Sequence, residues 1–189
     1  MTDSSPAKRF RILFLCTGNS ARSIFAEYFL RRLDPVHFEV FSAGANPRGR
    51  VNPYVLEILK DGYHIDASGA RSKSWEEFRD VRFDFVITVC DKARESCPVW
   101  PGQPIVAHWG SEDPDGVEGG ENEKREAVKR VALEIYRRLG LFTSLPIASL
   151  DRLGLEEMTR AIGRSDSVRI RGASPGLPVS HVETGGERG

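Results

Sequence analysis

The sequence predicts a single α/β domain: a central four-stranded parallel sheet flanked by helices on both faces. Three observations carry this. Short apolar runs alternate with stretches of helical period along most of the 189 residues. Two of the runs, 12–15 and 85–89, are apolar at nearly every position, as strands covered on both faces are. A strand, a tight glycine-containing loop and a helix also follow one another at 12–33, the order of a βα unit.

The elements follow in order. The first strand, 12–15, reads Ile-Leu-Phe-Leu. The first helix, 24–33, stops at Asp34-Pro35, because the residue before a proline is pushed out of the helical region. A second strand covers 38–42. Asn52-Pro53 supplies an N-cap and a first helical position for a helix that runs to about Lys60 and stops near Gly62. Trp75-Glu76-Glu77-Phe78 forms a short helix, 85–89 the third strand and 105–108 the fourth. From Glu121 onward, Val128, Val131, Ala132, Ile135 and Leu139 make one apolar stripe, a helix expected to end at Gly140. A further helix at 150–162 carries Leu153, Leu155, Met158 and Ile162. The domain is placed at 10–163, with 140–163 a helical extension. The ends, 1–9 and the Gly-, Ser- and Pro-rich 164–189, are expected to be flexible, and 116–122 to be a mobile loop.

The chemistry gathers in the loop after the first strand, Cys16-Thr17-Gly18-Asn19-Ser20-Ala21-Arg22-Ser23. A loop between strand and helix can aim successive backbone N–H groups at one point, with the positive end of the helix dipole behind them. Such a cradle binds a tetrahedral oxyanion through Thr17, Gly18, Asn19, Ser20, Ala21, Arg22 and Ser23. The same donors stabilise a thiolate at Cys16, which predicts a nucleophile with a depressed pKa. Arg22 offers a planar fork to two oxygens of the anion. Ser23 can donate to the sulfur, Asn19 can bond across the loop, and Ser42 can brace it from the second strand. Glu27 either supports the loop from the helix or faces solvent.

Three cysteines, Cys16, Cys90 and Cys97, are too few and too oddly spaced for a zinc site or a secreted disulfide framework. Two readings stand: Cys90 and Cys97 are structural, or they are resolving thiols for the nucleophile. Lys and Arg together number 27, as do Asp and Glu, so the formal net charge is zero. No nucleic-acid partner is expected, and an anionic substrate must be drawn by local donors. The segment 1–11 is polar and no apolar run approaches bilayer length. Neither a secretory leader nor a membrane partner is expected, and working thiols point to a reducing cytoplasm.

The order of Cys16-Thr17-Gly18-Asn19-Ser20-Ala21-Arg22-Ser23, Ser42-Ala43-Gly44, Val51-Asn52-Pro53, Val89-Cys90, Cys97-Pro98 and His108-Trp109-Gly110-Ser111-Glu112-Asp113-Pro114 resembles the thioredoxin-coupled arsenate reductases. That family shares the fold of the low-molecular-weight tyrosine phosphatases, and the match runs from about Arg11 to about Leu139. The resemblance implies that Cys16, Arg22, Asp113, Cys90 and Cys97 are catalytic, with Asp113 as general acid and His108 and Trp109 as packing or wall residues. It implies arsenate or a phosphate-like oxyanion as substrate and attack on arsenate by Cys16. A Cys16–Cys90 and then a Cys90–Cys97 disulfide form in turn, the latter on a polar segment, 91–96, able to unwind. Thioredoxin is the implied external thiol reductant, with no bound cofactor. Ala21 stands where many relatives carry another cysteine. Lys73 stands near a position where some relatives hold a carboxylate that helps bind a potassium ion; an ammonium there can take the place of the cation, so no metal is expected. Two alternatives share the loop: a phosphatase hydrolysing phosphate monoesters, and a non-catalytic oxyanion- or redox-sensing module.

Overall fold

The computed structural model describes residues 9–165; of the ends expected to be flexible, 1–9 and 164–189, all but Arg9, Arg164 and Ser165 lie outside the described residues, and Arg164 closes a helix instead of opening a tail. Four strands, β1 (Phe10–Cys16), β2 (Phe38–Gly44), β3 (Phe85–Thr88) and β4 (Ile105–His108), form one sheet in the order β2-β1-β3-β4, with every pair parallel. Helix α1 (Arg22–Leu33) joins β1 to β2. Helix α2 (Pro53–Glu57) widens into a π turn at Ile58–Gly62 and is followed by a 3-10 turn at Trp75–Phe78 before β3. The short α3 (Asp91–Glu95) joins β3 to β4, and α4 (Glu121–Thr143) and α5 (Arg152–Arg164) come after.

The sheet is covered on both faces, which is why its central strands are apolar through their middles, at Ile12–Leu15 and Phe85–Ile87. Ile12, Leu13, Phe14 and Leu15 are all fully buried. On one face Phe38, Phe85 and Trp109 meet Phe142 of α4 at ring-centroid distances of 5.3, 5.3 and 5.6 Å. On the other, Phe41 meets Phe78 and Phe83 at 5.6 and 5.5 Å. Helices α1 and α4 pack together through Phe29 and Tyr136, whose ring centroids lie 5.2 Å apart.

Two expectations are corrected. Gly140 does not end α4, which continues to Thr143. The reason is Phe142, fully buried against two strand aromatics and Trp109 just past β4. Burying such a ring stabilises by about 1.5–3 kcal/mol, more than the roughly 1 kcal/mol a helical glycine costs. The segment 116–122 is also not one loop. A 3-10 turn occupies Pro114–Gly116, and α4 already begins at Glu121.

The extension at α5 closes over β4. The Trp109 indole N–H donates to the Thr159 carbonyl at 2.9 Å, and a Cβ on Gly163 would stand 1.9 Å from the His108 carbonyl oxygen. Only glycine permits that approach. From α4, Arg138 donates to the carbonyls of Trp109 and Gly110 at 3.0 and 3.1 Å. The chain leaving β4 toward Asp113 is therefore held from two helices. No helix among the described residues is long and apolar enough to cross a membrane.

Candidate active site

The strand order reverses direction between β1 and β3, and ligands bind at such a point beyond the carboxyl ends of the strands. Cys16 ends β1 there, and Cys90 lies just past β3. They line one cleft of about 530 Å³. Its other walls are Thr17, Gly18, Ser20, Ala21 and Arg22 of the first loop, Asn46 and Arg48 after β2, Asp91 and Lys92 after β3, and Ser111, Glu112 and Asp113 after β4.

The first loop folds around its own cysteine. Asn19 takes φ +43°, a left-handed conformation that asparagine tolerates, and its N–H points at Cys16 Sγ from 3.1 Å. Ser23 Oγ lies 2.9 Å from the sulfur. The Asn19 side-chain amide donates to Ser23 Oγ and Ser42 Oγ at 2.8 and 2.9 Å. An amide N–H only donates, so the Ser23 oxygen is the acceptor there and its own hydrogen is free for the sulfur. Gly44 lets β2 approach: a Cβ there would meet the Thr17 carbonyl oxygen at 2.7 Å. Asn19 and Ser23 are fully buried and do not line the cleft; they shape it from beneath. The N-terminus of α1 has no side-chain cap, so its dipole end is open toward the cleft.

Burial is the largest influence on the Cys16 thiol and pushes it up. The Ser23 hydroxyl, the Arg22 charge and a backbone hydrogen bond at Ser23 pull it down, and Cys90 adds a smaller upward push. The net direction is upward, so the depressed thiol expected from sequence is corrected: the depth of β1 desolvates the thiolate more than the loop donors repay. Those donors still set the reactivity. Ser23→Ala removes a hydrogen bond to the charged form, so the thiol moves further up. Alkylation of Cys16 by iodoacetamide near neutral pH is expected to slow by roughly tenfold, the worth of one weak charge-assisted hydrogen bond. A pH–rate profile checks this, and an unmoved midpoint counts against it.

Arg22 is buried and held by the loop after β4. Its Nη1 donates to the Ser111 carbonyl at 3.1 Å, and its Nη2 lies 3.2 Å from Asp113 Oδ1. Asp113 caps its own 3-10 turn, accepting the Asp115 N–H at 3.2 Å. Cys90 is buried at the head of α3, with Thr17 Oγ1 3.3 Å from its sulfur. Cys97 does not line the cleft. It sits past the far end of α3, where burial pushes its thiol up and Trp100 opposes that. His108 and Trp109 stay out of the cleft too: His108 bonds Thr88 and Asp91, each at 2.9 Å, and Trp109 is core.

Glu27 supports the loop. It is buried, accepts a short hydrogen bond from Ser42 and pairs with Lys73 at 3.2 Å and Arg31 at 2.5 Å. Lys73 Nζ also donates to Ser42 Oγ at 3.2 Å and to the Arg71 carbonyl at 3.1 Å. These oxygens would suit a monovalent cation, but the ammonium already occupies their centre, so the residues present do not fit a bound potassium. No cluster of three or more metal-ligating side chains is found among the described residues. Among the residues that escape a reading of the sequence are Arg48, which lines the cleft, and its partner Asp115, which lies behind it. The available signals were the basic loop Arg48-Gly49-Arg50 after Ser42-Ala43-Gly44, and the second aspartate in Asp113-Pro114-Asp115.

Residues 11–138 match the model of the low molecular weight phosphotyrosine protein phosphatase family. The chain belongs to that family. Within it, the chain is 37% identical over 131 residues to an arsenate reductase of Halalkalibacterium halodurans, covering 69% of this chain and 93% of the relative. The identity and coverages are the same for an arsenate reductase of Bacillus subtilis strain 168. Among solved structures, an arsenate reductase in its oxidised state aligns with a TM-score of 0.58 at 30% identity, covering 68% of this chain and 92% of the other. A low molecular weight protein tyrosine phosphatase from T. tengcongensis aligns with a TM-score of 0.58 at 26% identity, covering 72% and 99%.

Proposed function

We propose that this protein reduces arsenate to arsenite in the cytoplasm. Cys16 is the nucleophile, Cys90 and Cys97 are resolving thiols, and thioredoxin is the external reductant. The observation that carries the reading is a second thiol, Cys90, in the same cleft as the first. Hydrolysis of a phosphate ester has no use for it, whereas reduction requires it. Arsenate reductases matched over 93% of their length support the same reading. So does the lining of the cleft, where among the described residues no aromatic side chain stands to pack against an aryl ester. A small inorganic oxyanion needs only the donors that are there.

The Cys16 thiolate attacks arsenic held by the loop N–H groups and Arg22. A sulfur–arsenic bond forms, and one arsenic–oxygen bond breaks as Asp113 gives that oxygen a proton. Cys90 thiolate then attacks Cys16 Sγ. The sulfur–arsenic bond breaks with its electron pair left on arsenic, so As(V) becomes As(III) and a Cys16–Cys90 disulfide remains. Cys97 attacks Cys90, releases Cys16 as thiolate and leaves Cys90–Cys97 for the external dithiol. No bound cofactor or metal takes part.

The test is arsenate-dependent NADPH oxidation with thioredoxin and thioredoxin reductase. Turnover of an aryl phosphate without reductant, undiminished by loss of Cys90, would instead make the protein a phosphatase. In the same assay Asp113→Asn is expected to slow the first step by about 10²–10⁴, the usual share of a general acid, while binding of inorganic phosphate holds or tightens. An Asp113→Asn variant with wild-type turnover reduces Asp113 to turn chemistry.

A further inference from the structure

Asp115 has no part in the chemistry above, yet its carboxylate is almost buried, with 9% of the side chain exposed. It takes donors from three separate segments. Ser20 Oγ and Arg48 Nη1 donate to Oδ2 at 2.8 and 2.5 Å, and Asn52 Nδ2 donates to Oδ1 at 2.5 Å. Ser20 belongs to the oxyanion loop, Arg48 comes after β2, and Asn52 caps α2. Asp115 lies on the turn that Asp113 opens. One carboxylate thus ties the turn carrying Asp113 to both walls of the cleft.

The charges around Asp113 give this tie a second consequence. Arg22 Nη2 stands 3.2 Å from Asp113 Oδ1, and Arg48 Nη2 stands 3.9 Å from Asp113 Oδ2. Asp113 therefore has a guanidinium on each side. Arg48 is drawn away by Asp115, its nearer anion at 2.5 Å. A carboxyl gripped at contact by two guanidinium groups is fixed as an anion and cannot carry a proton to a leaving oxygen. Arg48 is also half-exposed on a long side chain, so it can turn the short distance to Asp113 once released.

We propose that Asp115 is a positioning residue. It holds the Asp113 turn over the oxyanion loop and keeps Arg48 engaged, so that Arg48 does not close on Asp113. The inference rests on Asp113 being the proton donor. A purely mechanical tie and a tie that also manages Arg48 respond differently when the charge alone is removed.

Asp115→Asn in the full chain removes the charge with little change of shape. The cleft becomes more positive by one unit and Arg48 loses its nearer anion. Arsenate kcat is expected to fall roughly tenfold or more, part of the 10²–10⁴ that general-acid help contributes. Inorganic phosphate binding, measured by calorimetry, is expected to tighten. The double variant Arg48→Ala/Asp115→Asn, with no cation to release, is expected to recover most of the lost kcat and to lose the tighter phosphate binding. Wild-type kcat in Asp115→Asn overturns the proposal. So does a parallel fall of kcat, phosphate affinity and melting temperature that the double variant deepens, since Asp115 would then only hold the fold. If the wild type itself does not reduce arsenate, the reading of the reaction fails and phosphate affinity decides alone. Tightening in Asp115→Asn that disappears in the double variant upholds the hold on Arg48, and unchanged affinity removes it.

Discussion

Cys16→Ser is expected to abolish arsenate-dependent turnover in the thioredoxin-coupled assay and to leave the fold in place. The structural half rests on the surroundings of the sulfur. Its two polar contacts are the Asn19 N–H at 3.1 Å and Ser23 Oγ at 2.9 Å, and a hydroxyl can serve both. Serine is slightly smaller than cysteine, and a buried hydroxyl with its partners present costs at most about 1–2 kcal/mol. The chemical half rests on what the cleft lacks. A serine needs a neighbouring base to become a nucleophile, and among the described residues no histidine lines the cleft. Serine oxygen also cannot be oxidised to a disulfide, so even a covalent adduct would not pass electrons to arsenic. Phosphate binding, which uses the loop N–H groups and Arg22, is expected to survive and separates lost chemistry from lost binding. Measurable arsenite production by a folded Cys16→Ser variant would move the nucleophile to Cys90.

What was legible in the sequence is what is local. The oxyanion loop is eight consecutive residues, and β1 announces burial on both faces because every residue from Ile12 to Leu15 is apolar. Asn52-Pro53 starts α2 as local capping rules require, with the Asn52 side chain accepting the Tyr54 N–H at 2.8 Å. What was not legible depends on residues far apart in the chain. Ser20 and Asp115 are separated by 95 positions, Arg48 and Asp115 by 67, and Glu27 and Lys73 by 46. Nothing in Asp113-Pro114-Asp115 says that the second aspartate faces inward while the first faces the cleft. Gly140 misleads for the same reason: its local preference to end a helix is outweighed by Phe142, whose partners lie on β2, β3 and just past β4. The direction of the Cys16 thiol could not be read either, because donors are visible in a motif and burial depth is not.

Cys90→Ser and Cys97→Ser are expected to stop the reaction at two different species, and that difference defines the relay. With Cys90 replaced, nothing in the cleft attacks the Cys16–arsenic adduct, so mass spectrometry finds the adduct and no arsenite is released. With Cys97 replaced, Cys90 still attacks, so about one equivalent of arsenite appears and the protein is trapped as Cys16–Cys90. The final exchange carries a conformational requirement that the geometry makes explicit. Cys90 is the N-cap of α3 and Cys97 lies beyond its C-cap Ser96; the five helical residues between them at a rise of 1.5 Å already span about 7.5 Å, whereas a disulfide needs Cα atoms roughly 4.4–6.8 Å apart. The helix must therefore open to form Cys90–Cys97. Its hold is slight: Arg94 N–H to the Cys90 carbonyl at 3.1 Å and Ser96 N–H to the Lys92 carbonyl at 3.2 Å are two of its few bonds. At about 0.5–1.5 kcal/mol each, such bonds are within reach of a disulfide-exchange step. Amide hydrogen exchange at Arg94 and Ser96 is then expected to rise in the oxidised wild type and to stay at the reduced level in the trapped Cys97→Ser form. Steady multiple turnover by Cys97→Ser with thioredoxin would show that the reductant reaches Cys16–Cys90 directly, leaving α3 a plain connector and Cys97 a bystander.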